Sequence, residues 1–343
     1  MKKMFKILAC FALFAALAPT VSYGQAEDTR TVMESFRDSI QQNNDKITIN
    51  VMDFHTNVVQ GNLEGFACVS KFGRALAGVQ TTATDIWDRA DATPTQQIWT
   101  APSSAEQFNI VSTDAGDDGD PVGVGARTVT VVGLTDWDSG SISEVVTMNG
   151  TSNVLTDHSF VMIHRMYTTT NGTTSSNVGV ITATAATAGS VGAEINASEG
   201  QTQMAIYGVP SSEVLYIEDW YGGITKASGS AATIDFTLVA NQTPDTGTET
   251  VGFIVKNTRG VQSTGANQGV WPFVFPFKIE GPAIVKIQGV ASAADMEGSA
   301  GFNALCADNN NKTPNNLLAG GRVSYGPGQL TPNVNKKLQD THG

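Results

Sequence analysis

The chain is poor in the residues that do chemistry. Its 343 residues hold 3 cysteines and 4 histidines, and only 15% are charged. No H-x-x-x-H or H-E-x-x-H spacing, C-x-x-C pair, G-x-S-x-G elbow or G-x-x-x-x-G-K-[ST] phosphate loop occurs. These absences leave no catalytic residue, cofactor-binding residue or metal ligand to assign, so the chain is read as non-enzymatic and without a cofactor. Beyond the N-terminus there is no second apolar stretch long enough to span a bilayer, which takes about 20 residues. Amphipathic helical spacing is also scarce, and a parallel α/β sheet would need helices between its strands.

The formal charge is −12. Such a field repels nucleic acid and anionic lipid, and neither is an expected partner. The first 26 residues have the make-up of an export signal. Lys2, Lys3 and Lys6 precede an apolar run from Ile7 to Val21, and small residues at Ser22, Gly24 and Ala26 offer cleavage points. Removing residues 1–26 takes away three lysines and no acid, deepens the charge to −15 and leaves nothing to hold the mature chain in a membrane.

What is abundant is the material of strands and turns. Val32, Phe36 and Ile40 recur at helical spacing and predict a short helical arm over 27–45. From Lys46 the period becomes two, with Ile47, Ile49 and Val51 alternating against polar neighbours. Strands are expected over Phe66–Phe72, Arg127–Leu134, Ser141–Met148 and Ser159–Thr168, with the second and third forming a hairpin. Residues 81–112 read as loop-rich, and 173–198 as small residues with little bulk. Further strands are expected at Met204–Pro210, Val214–Tyr221, Ala232–Ala240 and Trp271–Ile279, then in IVKIQGV and AGFNALCA. In ATIDFTLVA the alternation places Ile234, Phe236, Leu238 and Ala240 on one face. In WPFVFPFKI it places Trp271, Phe273, Phe275, Phe277 and Ile279 on one buried side of an edge strand, because Pro272 and Pro276 each lack a donor. The prediction is an all-β chain with two β-sandwich or jelly-roll-like domains, at 46–195 and 196–308, and a polar tail, expected to be disordered, over 309–343.

Three groups invite a functional reading. Asp114, Asp117, Asp118 and Asp120 crowd one loop, as calcium would require, but without EF-hand spacing; a solvated acidic loop is the plainer expectation. The glycines of VGVGAR that follow precede no helix and read as a lead-in to a strand. Cys68 and Cys306 remain after export and would either pair or pack as small buried thiols. His158 and His164, six apart on an expected strand, would share a face.

Several segments, taken in order, resemble a family of tailed-bacteriophage virion structural proteins. They are GNLEGFACVSKFGR (Gly61 to Arg74), DIWD (Asp85 to Asp88), GARTVTVVGL with SEVVTMNGT, GQTQMAIYGVP (Gly200 to Pro210) and GSAGFNALCAD. The resemblance spans roughly residues 51–308. It implies a virion location and a capsid decoration or minor head component. Such a protein would form homo-oligomers, contact other virion proteins such as a major capsid protein, and carry no catalytic residues. The signal-like N-terminus and polar tail depart from that pattern. Either the N-terminal segment is an assembly anchor or cleaved arm, or the protein belongs to a cell envelope or a membrane-associated virus. The alternative function is a secreted or cell-surface adhesin or carbohydrate-binding β-sandwich protein using Trp137, Trp220 and Tyr221, for which core packing is the plainer expectation.

Overall fold

The computed structural model describes residues 54–89, 98–226, 232–244, 252–265, 267–294 and 296–309. The signal-like segment 1–26, the helical arm at 27–45 and the alternating run that begins at Lys46 lie outside the described residues, as does all of the 309–343 tail except Asn309. Among the described residues, one short helix, α1 (Phe54–Val59), precedes sixteen strands. No described helix is long and apolar enough to cross a membrane.

The chain is all-β, as its sequence pattern predicts, and its four sheets are antiparallel. One sheet has the order β1 (Phe66–Val79), β16 (Met296–Asp308), β11 (Glu213–Lys226), β14 (Gln268–Glu280). A second runs β10 (Ile206–Val209), β15 (Ala283–Ala291), β12 (Thr233–Asn241), β13 (Ile254–Gln262), and the two-residue β2 (Thr84–Asp85) pairs with β15. Between them lies one core, in which Ile234, Phe236, Leu238 and Ala240 of β12 meet Trp220, Ile217, Phe302 and Ile287. Burying large apolar side chains at about 25 cal/mol per Å² is the main driving force for this layer.

The other two sheets make a second sandwich. One orders β6 (Val154–Leu155), β3 (Phe108–Ser112), β8 (Ile181–Ala185), β9 (Val191–Ile195). The other orders β5 (Ile142–Thr147), β4 (Ala126–Leu134), β7 (Met162–Asn171), and the expected β4–β5 hairpin is present. Its core contains Trp99, Phe108, Phe160 and Ile163.

Strand pairing divides the chain differently from the expected cut near 195. β1 aligns with β16 from Phe66 opposite Ala307 to Val79 opposite Met296, so the first strand closes a sheet made otherwise of strands after residue 212. The second sandwich is therefore an insertion between β2 and β10. Sequence order suggested two consecutive domains because the long-range partner of a strand leaves no local mark. Gly73 shows how tightly the halves of the larger sandwich join: a Cβ there would lie 2.2 Å from the Ile86 carbonyl oxygen and 2.6 Å from the Ala205 nitrogen.

Candidate functional site

The edge strand β14 departs from its predicted alternation. Ile217 faces Phe277 and Asp219 faces Pro272, so Glu218 alone stands opposite the four residues 273–276. Pro272 and Pro276 supply no N–H to the ladder, and the strand bulges between them. The bulge brings the Phe273 and Phe277 rings to a centroid distance of 5.7 Å and turns Phe275 outward. Val274 is 91% exposed and Phe275 83%, which corrects the expectation that Phe275 would be buried with its neighbours. β13, the end strand of the other sheet, adds exposed Ile254 and Val255. Beside the bulge, on the outer face of the first sheet, Phe54, Phe66, Tyr216, Leu305 and Pro276 line an apolar hollow of about 350 Å³.

A second concavity, of about 500 Å³, lies where the sandwiches meet. β1 ends its sheet, and residues Cys68 to Phe72 line one wall; His164, Arg165 and Tyr167 of β7 line the opposite wall, with Tyr207 of β10. Lys71 is buried and donates from Nζ to the His164 carbonyl oxygen. Burial, and then the Arg165 charge, hold its amine down to about 7. His164 is also buried, held down to about 3 by burial and then by Lys71 and Arg165, so its ring is neutral at pH 7. Its ring stacks at 4.8 Å from that of Tyr207. Its Nε2 is 3.5 Å from Ser141 Oγ, while Nδ1 is buried with no partner. Sequence pattern gave no hint of Lys71, because a lysine in the middle of an alternating strand reads as solvated.

The acidic loop resolves into separate jobs. Asp117 is fully buried. Its Oδ1 accepts from the Ala126 and Val178 amides at 2.7 and 2.8 Å, and its Oδ2 from Ser112 Oγ and the Gly179 amide at 2.6 and 2.8 Å. Asp114 and Asp118 cap turns through the Gly116 and Asp120 amides. Among the described residues no three His, Cys, Asp or Glu side chains converge to hold a metal ion. His158 lies before β7 rather than on it and pairs with Glu144 at 3.0 Å, so it shares no strand face with His164.

Cys68 and Cys306 are unpaired. Cys306 stands opposite Ala67, so Cys68, one residue further along, points to the other face of the sheet. Cys306 Sγ donates to Glu213 Oε2 at 2.8 Å, and burial followed by the Glu213 charge pushes its thiol up. Of the three aromatics, Trp220 is buried and packs 4.8 Å from Trp271, whereas Trp137 and Tyr221 are half-buried.

No protein-family model matches the chain, and no curated protein matches it. Weak similarity extends to solved structures of infectious bursal disease virus. The Gt strain structure is 12% identical, with 77% of this chain and 80% of that chain covered at a TM-score of 0.18. The crystal structure of the viral particle is 11% identical, with 72% and 70% covered at 0.21. The VP2 subviral particle is 11% identical, with 74% and 74% covered at 0.19.

Proposed function

We propose that this chain is a non-enzymatic structural subunit of a phage-type virion, a capsid decoration or minor head component held by contacts with its own copies and with a major capsid protein. The observation that carries this reading is the bulge of β14. Contiguous exposed apolar side chains mark surfaces that a partner covers, and open sheet edges are where chains add to one another. Here both features coincide, with Val274 and Phe275 standing out from an edge strand. The ordered resemblance to tailed-phage virion proteins and the all-β architecture support the same role. An adhesin built on the three aromatics draws less support, because Trp220 lies inside the core.

Quantitative mass spectrometry of purified particles tests the reading. The chain should be present at a fixed, stoichiometric copy number per particle. A Val274→Ser, Phe275→Ser variant should fold normally, since both side chains face solvent, yet enter particles about tenfold less, the effect of losing about 1.4 kcal/mol of contact energy. Absence of the wild-type chain from particles would remove the proposal.

A further inference from the structure

The cleft between the sandwiches has an electrostatic feature that a structural role does not require. The chain carries 32 acidic residues, yet the two cations at this cleft, Lys71 and Arg165, have no carboxylate within ion-pair distance among the described residues. Lys71 Nζ has one acceptor, the His164 carbonyl oxygen. Arg165 donates to Gln201 Oε1 at 3.2 Å and lies 5.0 Å over the Tyr167 ring, which leaves most of its donors unused. His164, in the same wall, keeps a buried Nδ1 without a partner. An unpaired ammonium under a protein surface is costly, and such charges are ordinarily matched. The cleft's volume of about 500 Å³ lies in the range of small-molecule sites.

We propose that this cleft binds a small organic oxyanion, a carboxylate or phosphate on a molecule the size of a monosaccharide. Lys71 Nζ and the Arg165 guanidinium supply the charge. The Tyr167 and Tyr207 rings offer flat apolar walls for the body of the ligand. The anion completes the charge balance that the polypeptide leaves open.

Isothermal titration of the full chain with three probes of one ring type tests this: glucose, glucuronate and glucose 6-phosphate. Either or both acids should bind and glucose should not, and whichever binds identifies the anion. Lys71→Met should abolish binding. Arg165→Gln, an exposed change that leaves the fold intact, should weaken it about tenfold, as expected for a charge-assisted hydrogen bond. A pH series with glucuronate separates charge from shape. The groups facing Lys71 are His164, Arg165 and Tyr167 from β7, Tyr207 from β10 and Cys68 from its own strand. Of these His164 is neutral across the range, so affinity should be constant below about pH 7 and fall about tenfold per unit above it as Lys71 loses its proton. Equal binding of glucose and the acids, no binding of either acid at 10 mM, a flat pH profile, or unchanged affinity in Arg165→Gln would each overturn the proposal.

Discussion

Asp85 and Lys286 form a buried ion pair on the face of β15 turned away from the larger sandwich's core, with Nζ 2.7 Å from Oδ2 and side-chain exposures of 0% and 3%. The same carboxylate accepts the Trp99 amide at 2.7 Å and Gln288 Nε2 at 2.9 Å, and the Phe253 ring lies 4.3 Å from Nζ. Asp85 thus ties β2 and β15 to Trp99, whose indole donates to the Gly192 carbonyl at 2.8 Å within the inserted sandwich. Removing one member strands the other without solvent. Asp85→Ala should therefore cost about 3–5 kcal/mol in a urea titration. Asp85→Ala combined with Lys286→Met should cost less than Asp85→Ala alone, because no charge is then left unpaired. A single variant within about 1 kcal/mol of wild type would show that the pair is dispensable.

Asp117 carries a second prediction. Four donors from three chain segments converge on its two oxygens, so the carboxylate joins the 112–126 loop to residues 178–179. Asp117→Ala leaves those donors unpaired in a buried site and should destabilise by about 3 kcal/mol or more. Asp117→Asn should be intermediate, since one oxygen is replaced by a donor facing donors. Because the lone pairs are already engaged, millimolar calcium should leave the wild-type melting temperature unmoved. A rise of several degrees with calcium but not magnesium would restore the acidic loop as a cation site.

The parts of this fold that were legible in sequence are those whose signal is local. The alternation in ATIDFTLVA predicts the buried face of β12 because β15 pairs with it in unbroken register and the irregularity opposite Leu238 and Val239 lies in β13. The same rule failed in WPFVFPFKI, where two prolines interrupt the ladder and the four-residue bulge shifts Phe275 out of phase. β8 and β9 escaped notice within 173–198 because their inward residues include Ala183, Ala185 and Ala193, too small to register as an apolar stripe. The site was harder. Lys71, Asp85 and Lys286 sit in strands where charge suggests solvent, and only pairing across more than 90 residues reveals their burial. The offset of Cys68 and Cys306 likewise depends on register, which spacing along the chain does not encode.

Lys71 and His164 give a third prediction, in the pH dependence of stability. Both titrate lower in the folded protein than their ordinary values of 10.5 and 6.5, held down to about 7 and about 3 chiefly by burial. The unfolded chain therefore binds more protons at these sites between about pH 3 and 6.5 for His164, and between about pH 7 and 10.5 for Lys71. Stability rises with pH wherever that holds, at most about 1.4 kcal/mol per unit for one proton. For Lys71 the penalty is present in full below pH 7 and is relieved as pH climbs toward 10.5. Carboxylates obscure the acidic window. Above about pH 9, Cys306 and Tyr207, whose values are raised by burial, act in the opposite sense because the unfolded chain loses those protons first. Urea titrations at pH 7, 8 and 9 therefore isolate Lys71. Wild type should gain on Lys71→Met by up to about 1.4 kcal/mol per pH unit across that range. Parallel profiles would mean that the Lys71 amine keeps its ordinary protonation inside the fold.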